Sequence, residues 1–415
     1  MQNTVLTSKK RLSALLIATV FIFLCIFLRL AYIQVVWGKD LQSRAQDQWN
    51  RDLPLSAMRG DIVDTNGVVI ATSVTAYSVY VRPKSITDPV KVAEVLSSAL
   101  HIDYQIIYDK ATRKGVSDIT ISRQVAYDVA NTIRSANLNG VYLSSESARE
   151  YVYGNFLSQV LGFVSVDNVG QTGLEAYYNK YLTGINGKLL TQSDLIGKEL
   201  SGEPMEYIPA TDGLDVVLTI DYVIQSYVEQ ALDVIMQAYS PKNAKCLVID
   251  VTNGDVLAMC VKPSVNLNNI DRSDVGLLME LSRNSLVTDI YEPGSTFKVV
   301  TTAATLEESL KGNKKAFDEN YVFRNNSRTR IINGSKISCW STHANGKHAN
   351  QTISQALNNS CNPIFTDIAL SLGAETFYEY LEKFGYGKPT GIDFSGEQSG
   401  ILISKNSVTA GDLAR

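Results

Sequence analysis

At 415 residues the chain is long enough for two or three domains with cores of their own, and 45% hydrophobic with 19% charged residues is the composition of folded protein, not of a disordered chain. Thirty-eight Lys and Arg against 42 Asp and Glu leave a formal net charge of −4, without the basic excess that nucleic-acid binding requires. The three histidines (His101, His343 and His348) are too few and too scattered for a Cys/His cluster, so no metal and no cofactor is expected.

The chain opens on an apolar run. Leu12 to Leu28 carries no charge, and only Arg29 interrupts the apolar character that continues to Trp37. As a helix rising about 1.5 Å per residue, such a run spans a bilayer core. Lys9, Lys10 and Arg11 precede it, which puts the N-terminus in the cytoplasm and the bulk of the chain outside. A cleaved signal peptide is the alternative, but its apolar region would be shorter and end in small residues. This one runs into Arg29, Tyr32, Gln34 and Trp37, which suit a membrane interface. The reading is a cytoplasmic tail over residues 1–11 and an uncleaved anchor over 12–36.

The polar stretch Gly38 to Asp52 is expected to carry the helix beyond the membrane. Arg59 to Ala71 then reads as strand, turn, strand, because Asn66-Gly67 is a strong hairpin signal. Asp88-Pro89 supplies a capping Asp and a first-turn Pro for a helix through about Leu100. Gly170 to Glu175 leads into a Tyr-rich helix that stops near Gly184 and Gly187. A first extracytoplasmic domain is placed over 37–210 and a second over 211–415. In the second, Leu214 to Ile220 alternates like a strand, and Asp221 caps a helix through about Tyr239. Ala244 to Asp250 and Asp255 to Val261 flank Thr252-Asn253-Gly254, another hairpin. Its two-residue loop offsets Cys246 and Cys260 by one position, so they are expected on opposite faces and unpaired. Helix, antiparallel strands, then helices make an α+β class and not alternating βαβ units. No internal repeat and no Gly-rich phosphate loop is found, and nucleotide chemistry has no support.

The segment richest in chemistry is Tyr291-Glu292-Pro293-Gly294-Ser295-Thr296-Phe297-Lys298, followed by the helical run Val299 to Glu308. Pro-Gly ends what precedes, so Ser295 is expected at a helix N-terminus with Lys298 beside it on the same face. A serine hydroxyl needs a neighbouring base, and a lysine serves when burial lowers its pKa. The helix end adds backbone donors for an oxyanion. A plainer reading competes: an N-capping serine followed by a solvated lysine. The second piece is Ser360-Cys361-Asn362, between the helical run Thr352 to Leu357 and a helix opened by Pro363. Here too there is a plain alternative, Asn362 as an N-cap.

Together, Ser-x-x-Lys and, roughly sixty residues later, Ser-x-Asn resemble the penicillin-recognising serine transpeptidases. Arg59 to Ala71 is similar to the first signature of the class B penicillin-binding protein pedestal. Gly173-Leu174-Glu175, with Tyr178, Leu182, Gly184 and Gly187, is similar to its second signature. Leu218-Thr219-Ile220-Asp221, with Gln225 and Glu229, resembles the start of the transpeptidase domain. The resemblance implies a membrane-anchored class B penicillin-binding protein with an elongated, dimerisation-type pedestal. It implies a D,D-transpeptidase that cross-links peptidoglycan stem peptides in septal or spore-cortex synthesis and is acylated by β-lactams. Ser295 would be the nucleophile, Lys298 the general base, Ser360 the proton relay and Asn362 the substrate binder. Implied partners are a membrane glycan polymerase, divisome-type membrane proteins and a second copy of the chain; nucleic acid is not among them. The family's third motif, Lys-Thr/Ser-Gly, is not present. Lys388-Pro389-Thr390-Gly391 is rejected as that motif, because Pro389 cannot donate a ladder hydrogen bond. The 415 residues are therefore expected to be about the N-terminal four-fifths of such a protein, with an incomplete transpeptidase domain.

Cys339 and Cys361 both lie on the extracytoplasmic side in this reading, where disulfides form. The sequence admits a bridge that locks the Ser360-Cys361-Asn362 turn and makes activity redox-dependent, and equally two inert buried thiols. Two further functional readings stand beside the transpeptidase: a scaffold that recruits a glycan polymerase, which the missing third motif favours, and a β-lactamase or antibiotic sensor sharing the serine–lysine pair.

Overall fold

The computed structural model describes residues 2–41, 50–192, 206–324, 328–340 and 350–413. The apolar N-terminal run is one helix, α1 (Gln2–Tyr32), continued by a wider turn over Ile33–Trp37. Ala14–Leu41 is long and apolar enough to cross a membrane, and none of it is buried in protein. The Arg29 guanidinium lies 5.8 Å from the Tyr32 ring and 5.9 Å from the Trp37 ring, so the interrupting charge is gathered with the aromatic residues.

The chain folds into two compact units. The first comprises residues 1–152, 166–169 and 180–218, and the second 153–165, 170–179 and 219–415. In the first, β1 (Asn50–Leu55) is extended, so residues 50–52 do not continue the membrane helix as expected. β2 (Ile62–Val63) and β3 (Val69–Val81) are the anticipated hairpin. The Asp64 carboxylate closes their turn by accepting from Asn66 N (2.8 Å) and Val68 N (2.7 Å). Asp88 caps α2 (Pro89–Leu100) as predicted; α3 (Tyr104–Ala111), β4 (Ile119–Val125), α4 (Tyr127–Ser135) and β5 (Val141–Tyr151) follow. β3 pairs with β5 along its length on one edge, and with β2 and β4 on the other. Val79, Val81, Ile121 and Val125 of this sheet bury against Leu96, Ile107 and Ile133 of the three helices, and those side chains form the core of the unit.

β6 (Gly187–Gln192) returns to pair with β1 and with β7 (Glu206–Ile208). Of the strand expected over Leu214–Ile220, only β8 (Val216–Val217) is formed, parallel to β2. The signature residues earn their identities here. Arg59 is buried, donating to Asn168 O (3.1 Å) and Thr183 Oγ1 (2.9 Å). Gly60 passes so close to the Leu214 carbonyl that a Cβ would sit 2.0 Å from its oxygen. The Tyr-rich helix is broken into two short turns, Gly173–Tyr177 and Asn179–Leu182.

In the second unit Asp221 accepts from Val223 N and Ile224 N and starts α5 (Tyr222–Tyr239) where the sequence predicts. β9 (Ala244–Ile249) and β10 (Val256–Lys262) form the predicted hairpin, with one correction. A bulge between Val256 and Ala258 shifts the register by one, so Cys246 and Cys260 stand directly opposite each other and not offset. Both are free thiols. Burial first, and then the Glu229 carboxylate, push the Cys260 thiol up to about 12.

Gln225 and Glu229 fasten α5 to this hairpin. The Gln225 side chain accepts from Met259 N (2.8 Å) and donates to Met259 O (3.1 Å), standing in for a neighbouring strand. Glu229 Oε1 accepts from Leu157 N (2.8 Å) and Gln225 Nε2 (3.0 Å), and Oε2 from Lys262 Nζ (3.1 Å). Lys262 is only 3% exposed, and its second partner, Asp233, is 53% exposed.

The remaining elements carry the site. A 3₁₀ turn, Gly294–Phe297, runs into α6 (Lys298–Leu310). A small hairpin of β11 (Thr329–Ile332) and β12 (Ser335–Ser338) precedes α7 (Ile353–Asn358) and α8 (Asn362–Lys383), the last kinked at Gly373. Val300 and Ala304 of α6, Ile353 and Ala356 of α7, and Ile364, Ile368 and Leu372 of α8 share one core. Each large side chain buried there stabilises the packing by about 1.5–3 kcal/mol. Replacing Glu229 by Ala would leave Lys262 to the half-exposed Asp233 alone. Thermal or urea unfolding of Glu229→Ala is expected to show a loss of about 3 kcal/mol or more, the usual cost of breaking a buried ion pair.

Candidate active site

The Pro293-Gly294 break and the turn after it leave Ser295 exposed one turn ahead of α6, while Lys298, at the start of the helix, is half-buried. Ser295 is thus in a 3₁₀ turn and not in the α-helix itself, but three-residue spacing still puts the two side chains on one face. Lys298 Nζ is 2.9 Å from Ser295 Oγ. It is also 2.9 Å from Ser360 Oγ, 3.3 Å from Ser360 O and 2.6 Å from Asn362 Oδ1. The lysine is only partly solvated, and the serine is not a simple cap.

The atom types decide what this amine does. Ser360 O and Asn362 Oδ1 can only accept hydrogen bonds, whereas the two hydroxyls can also donate. A neutral amine has two N–H bonds and one lone pair. Its hydrogens go to the two obligate acceptors, and the lone pair is left for a hydroxyl proton. Burial shifts the equilibrium the same way: it lowers the Lys298 pKa, and the neighbouring Cys339 and Cys361 oppose this only in part. The geometry and the desolvation together suit Lys298 to act as a base toward Ser295.

Ser360 and Asn362 arrive through the end of one helix and the start of the next. The α7 N-terminus has a full capping box between Thr352 and Gln355. Its C-terminus closes with Ser360 N donating to Leu357 O (3.0 Å) and Cys361 N to Ala356 O (2.9 Å). This is a Schellman closure, and it requires a left-handed residue where glycine is usual. Ser360 occupies that place, at φ 48°, at a backbone cost of about 1–3 kcal/mol. The strain is retained where a hydroxyl faces Lys298. Asn362 is the first residue of α8, and its side chain makes no cap bond. It bridges Lys298 on one side and Ser338 O (3.0 Å) on the other.

The serine–lysine pair opens on a cleft of about 750 Å³, whose lining includes Lys336, Ser338, Phe365 and Asp412. Cys339 and Cys361 are buried beside it and not joined by a disulfide, with their thiols hydrogen-bonded to each other. Burial pushes the Cys361 thiol pKa up, against the Ile364 backbone N–H that stabilises the thiolate. Lys388-Pro389-Thr390-Gly391 is in no strand. The Glu397 carboxylate holds Thr390 N, Thr390 Oγ1 and Gly391 N at 2.6, 2.6 and 3.1 Å, a closed polar turn. His343 and His348 lie outside the described residues.

Residues 54–218 match the family of the penicillin-binding protein dimerisation domain, and residues 244–414 the penicillin-binding protein transpeptidase domain. The chain belongs to the class B penicillin-binding proteins. It is 37% identical over 401 residues to Stage V sporulation protein D of Bacillus subtilis, covering 96% of this chain and 60% of that protein. Over 403 residues it is 29% identical to peptidoglycan D,D-transpeptidase FtsI of Escherichia coli, covering 94% of this chain and 65% of that protein. Penicillin Binding Protein 2X from Streptococcus thermophilus superposes with a TM-score of 0.65 at 25% identity, over 88% of this chain and 56% of that one. The chain thus spans about 60 to 65% of these two curated relatives.

In this penicillin-binding protein the structure brings Ser295, Lys298, Ser360 and Asn362 into one cluster, as the sequence predicts. Two members of the cluster had no signal to give: Ser360 O and Ser338 O are backbone carbonyls, which any residue presents. The base assignment carries a pH signature. Acylation of Ser295 by an activated ester or lactam is expected to rise with pH and to level off below the ordinary lysine range. Lys298→Arg, which keeps the charge and cannot lose its proton, should slow it by about a hundred- to ten-thousandfold. Stopped-flow acylation across a pH series measures both.

Proposed function

We propose that the chain carries the catalytic serine machinery of a peptidoglycan D,D-transpeptidase. The supporting observation is the Lys298 amine, partly desolvated, with its two obligate acceptors and two hydroxyls within 2.6–3.3 Å. Lys298 takes the proton of Ser295 as Oγ attacks the penultimate D-Ala carbonyl of a stem peptide. Backbone N–H groups at the α6 end offset the developing oxyanion charge. Ser360 relays the proton to the departing terminal D-Ala amine, and Asn362 holds a substrate amide. The amine of a neighbouring strand then attacks the acyl-enzyme, regenerating Ser295 and closing the cross-link. A β-lactam presents the same amide and leaves its acyl group on Ser295.

Lys9, Lys10 and Arg11 support an anchor with a cytoplasmic N-terminus and both folded units outside. The dimerisation-type first unit supports pairing with a second copy or docking to a membrane glycan polymerase or division proteins, in septal or spore-cortex synthesis. The hydrogen-bonded Cys339 and Cys361 support a redox-controlled site. Loss of two protons and two electrons to an extracytoplasmic disulfide oxidant would join the two sulfurs across the Ser360 turn.

Two measurements decide. Fluorescent penicillin is expected to label the full chain stably and to leave Ser295→Ala unlabelled. An unlabelled wild-type chain would favour the scaffold reading, and rapid release of the label would favour a β-lactamase. Mass spectrometry after alkylation without reductant should find Cys339 and Cys361 joined in oxidised, exported protein. Two alkylated thiols there would remove the redox reading.

A further inference from the structure

The β11–β12 hairpin contributes Lys336, Ile337 and Ser338 to the wall of the cleft. Its strands are four residues each, and Ile331 is exposed, so the hairpin buries little of its own. A two-stranded hairpin of this size is marginal in water and needs something to hold it. Two side chains of α8 do so. Asn362 Nδ2 donates to Ser338 O, and Asp367 Oδ1 and Oδ2 accept from Arg330 Nε and Nη2 at 2.9 and 2.7 Å. The second contact is the planar, two-toothed pairing that arginine alone offers a carboxylate. It is well shielded, the two side chains being 21% and 30% exposed. Arg330 stands opposite Ile337 in the register, one step from Ser338.

That position gives the ion pair a role in the site. The two ends of the Asn362 carboxamide are both engaged, Oδ1 by Lys298 Nζ and Nδ2 by Ser338 O. The carboxamide is planar, so the place of the Ser338 carbonyl fixes the direction of Oδ1. Were the hairpin to swing away, Asn362 would be free to turn, and Lys298 would lose the shortest of its oxygen contacts.

We propose that Arg330 and Asp367 are positioning residues of the active site. Their ion pair fixes the hairpin so that Ser338 O orients Asn362, and Asn362 in turn orients the Lys298 amine. The proposal rests on the reading of Ser295 and Lys298 as nucleophile and base.

The test compares the full chain with Asp367→Asn, Asp367→Glu, Arg330→Gln and the double variant Arg330→Gln/Asp367→Asn. Fluorescent penicillin at several concentrations separates the acylation rate constant from the half-saturating concentration, and end-point labelling counts competent sites. Asp367→Asn and Arg330→Gln should each lower the rate constant by roughly tenfold or more, within the hundredfold that an ångström's misplacement costs. The half-saturating concentration and the fraction of competent sites should hold. The double variant should lose no more than either single one, as residues acting through one contact do, and Asp367→Glu should recover part of the rate. Wild-type rates in both single variants would overturn the proposal. So would a loss matched by fewer competent sites and a lower melting temperature, which is plain destabilisation. An unlabelled wild-type chain would instead sink the transpeptidase reading. Hydrogen exchange over residues 329–338 then tests the anchor by itself: faster exchange in Asp367→Asn supports it, and unchanged exchange ends it.

Discussion

A single primary amine organises the second unit. Lys298 draws together the turn before α6, the left-handed turn after α7 and the first residue of α8, and each contributes an oxygen to it. Burial and bonding oppose each other here. Removing the ammonium from water is costly, and the oxygens around it are all neutral, so none supplies the countercharge that would hold the proton. A carboxylate in the place of Asn362 would keep the lysine charged and idle. A carboxamide oxygen accepts the same hydrogen bond and leaves the amine able to act as a base.

Each unit repeats one device, a buried polar side chain joining segments that packing alone would leave adjustable. Glu229 ties a turn at Leu157, a helix and a strand together, and Gln225 imitates a strand beside Met259. Asp64 closes its hairpin from within the turn, and Arg59 in the first unit spans two loops. Each group is fully engaged, which is why burial does not turn it into a liability. Ser360 is the exception that marks function. Glycine would satisfy its backbone at lower energy, but glycine has no hydroxyl to offer Lys298.

The sequence carried a great deal of this. Asp88-Pro89 and Asp221 announced their helices because capping is local chemistry, decided within four residues. Asn66-Gly67 and Asn253-Gly254 announced their hairpins for the same reason. The errors have one cause. The Cys246–Cys260 register went wrong at a bulge that no residue type signals, and the Leu214–Ile220 strand shrank to two residues because strand length depends on a partner, here β2, from far along the chain.

By itself, then, the sequence determined the class of fold, the apolar N-terminal helix and which side chains meet at Lys298, because spacing, capping and hydroxyl or amine chemistry are written into residue type. Tertiary structure decided which plain reading of each motif to discard. Only the packing of α6 against α7 and α8 takes Lys298 partly out of water and turns Asn362 from a cap into a bridge. Only the same packing lets two backbone carbonyls, Ser360 O and Ser338 O, take part. Carbonyls are identical in every residue, and desolvation belongs to an environment and not to a side chain, so neither can be read before the chain is folded.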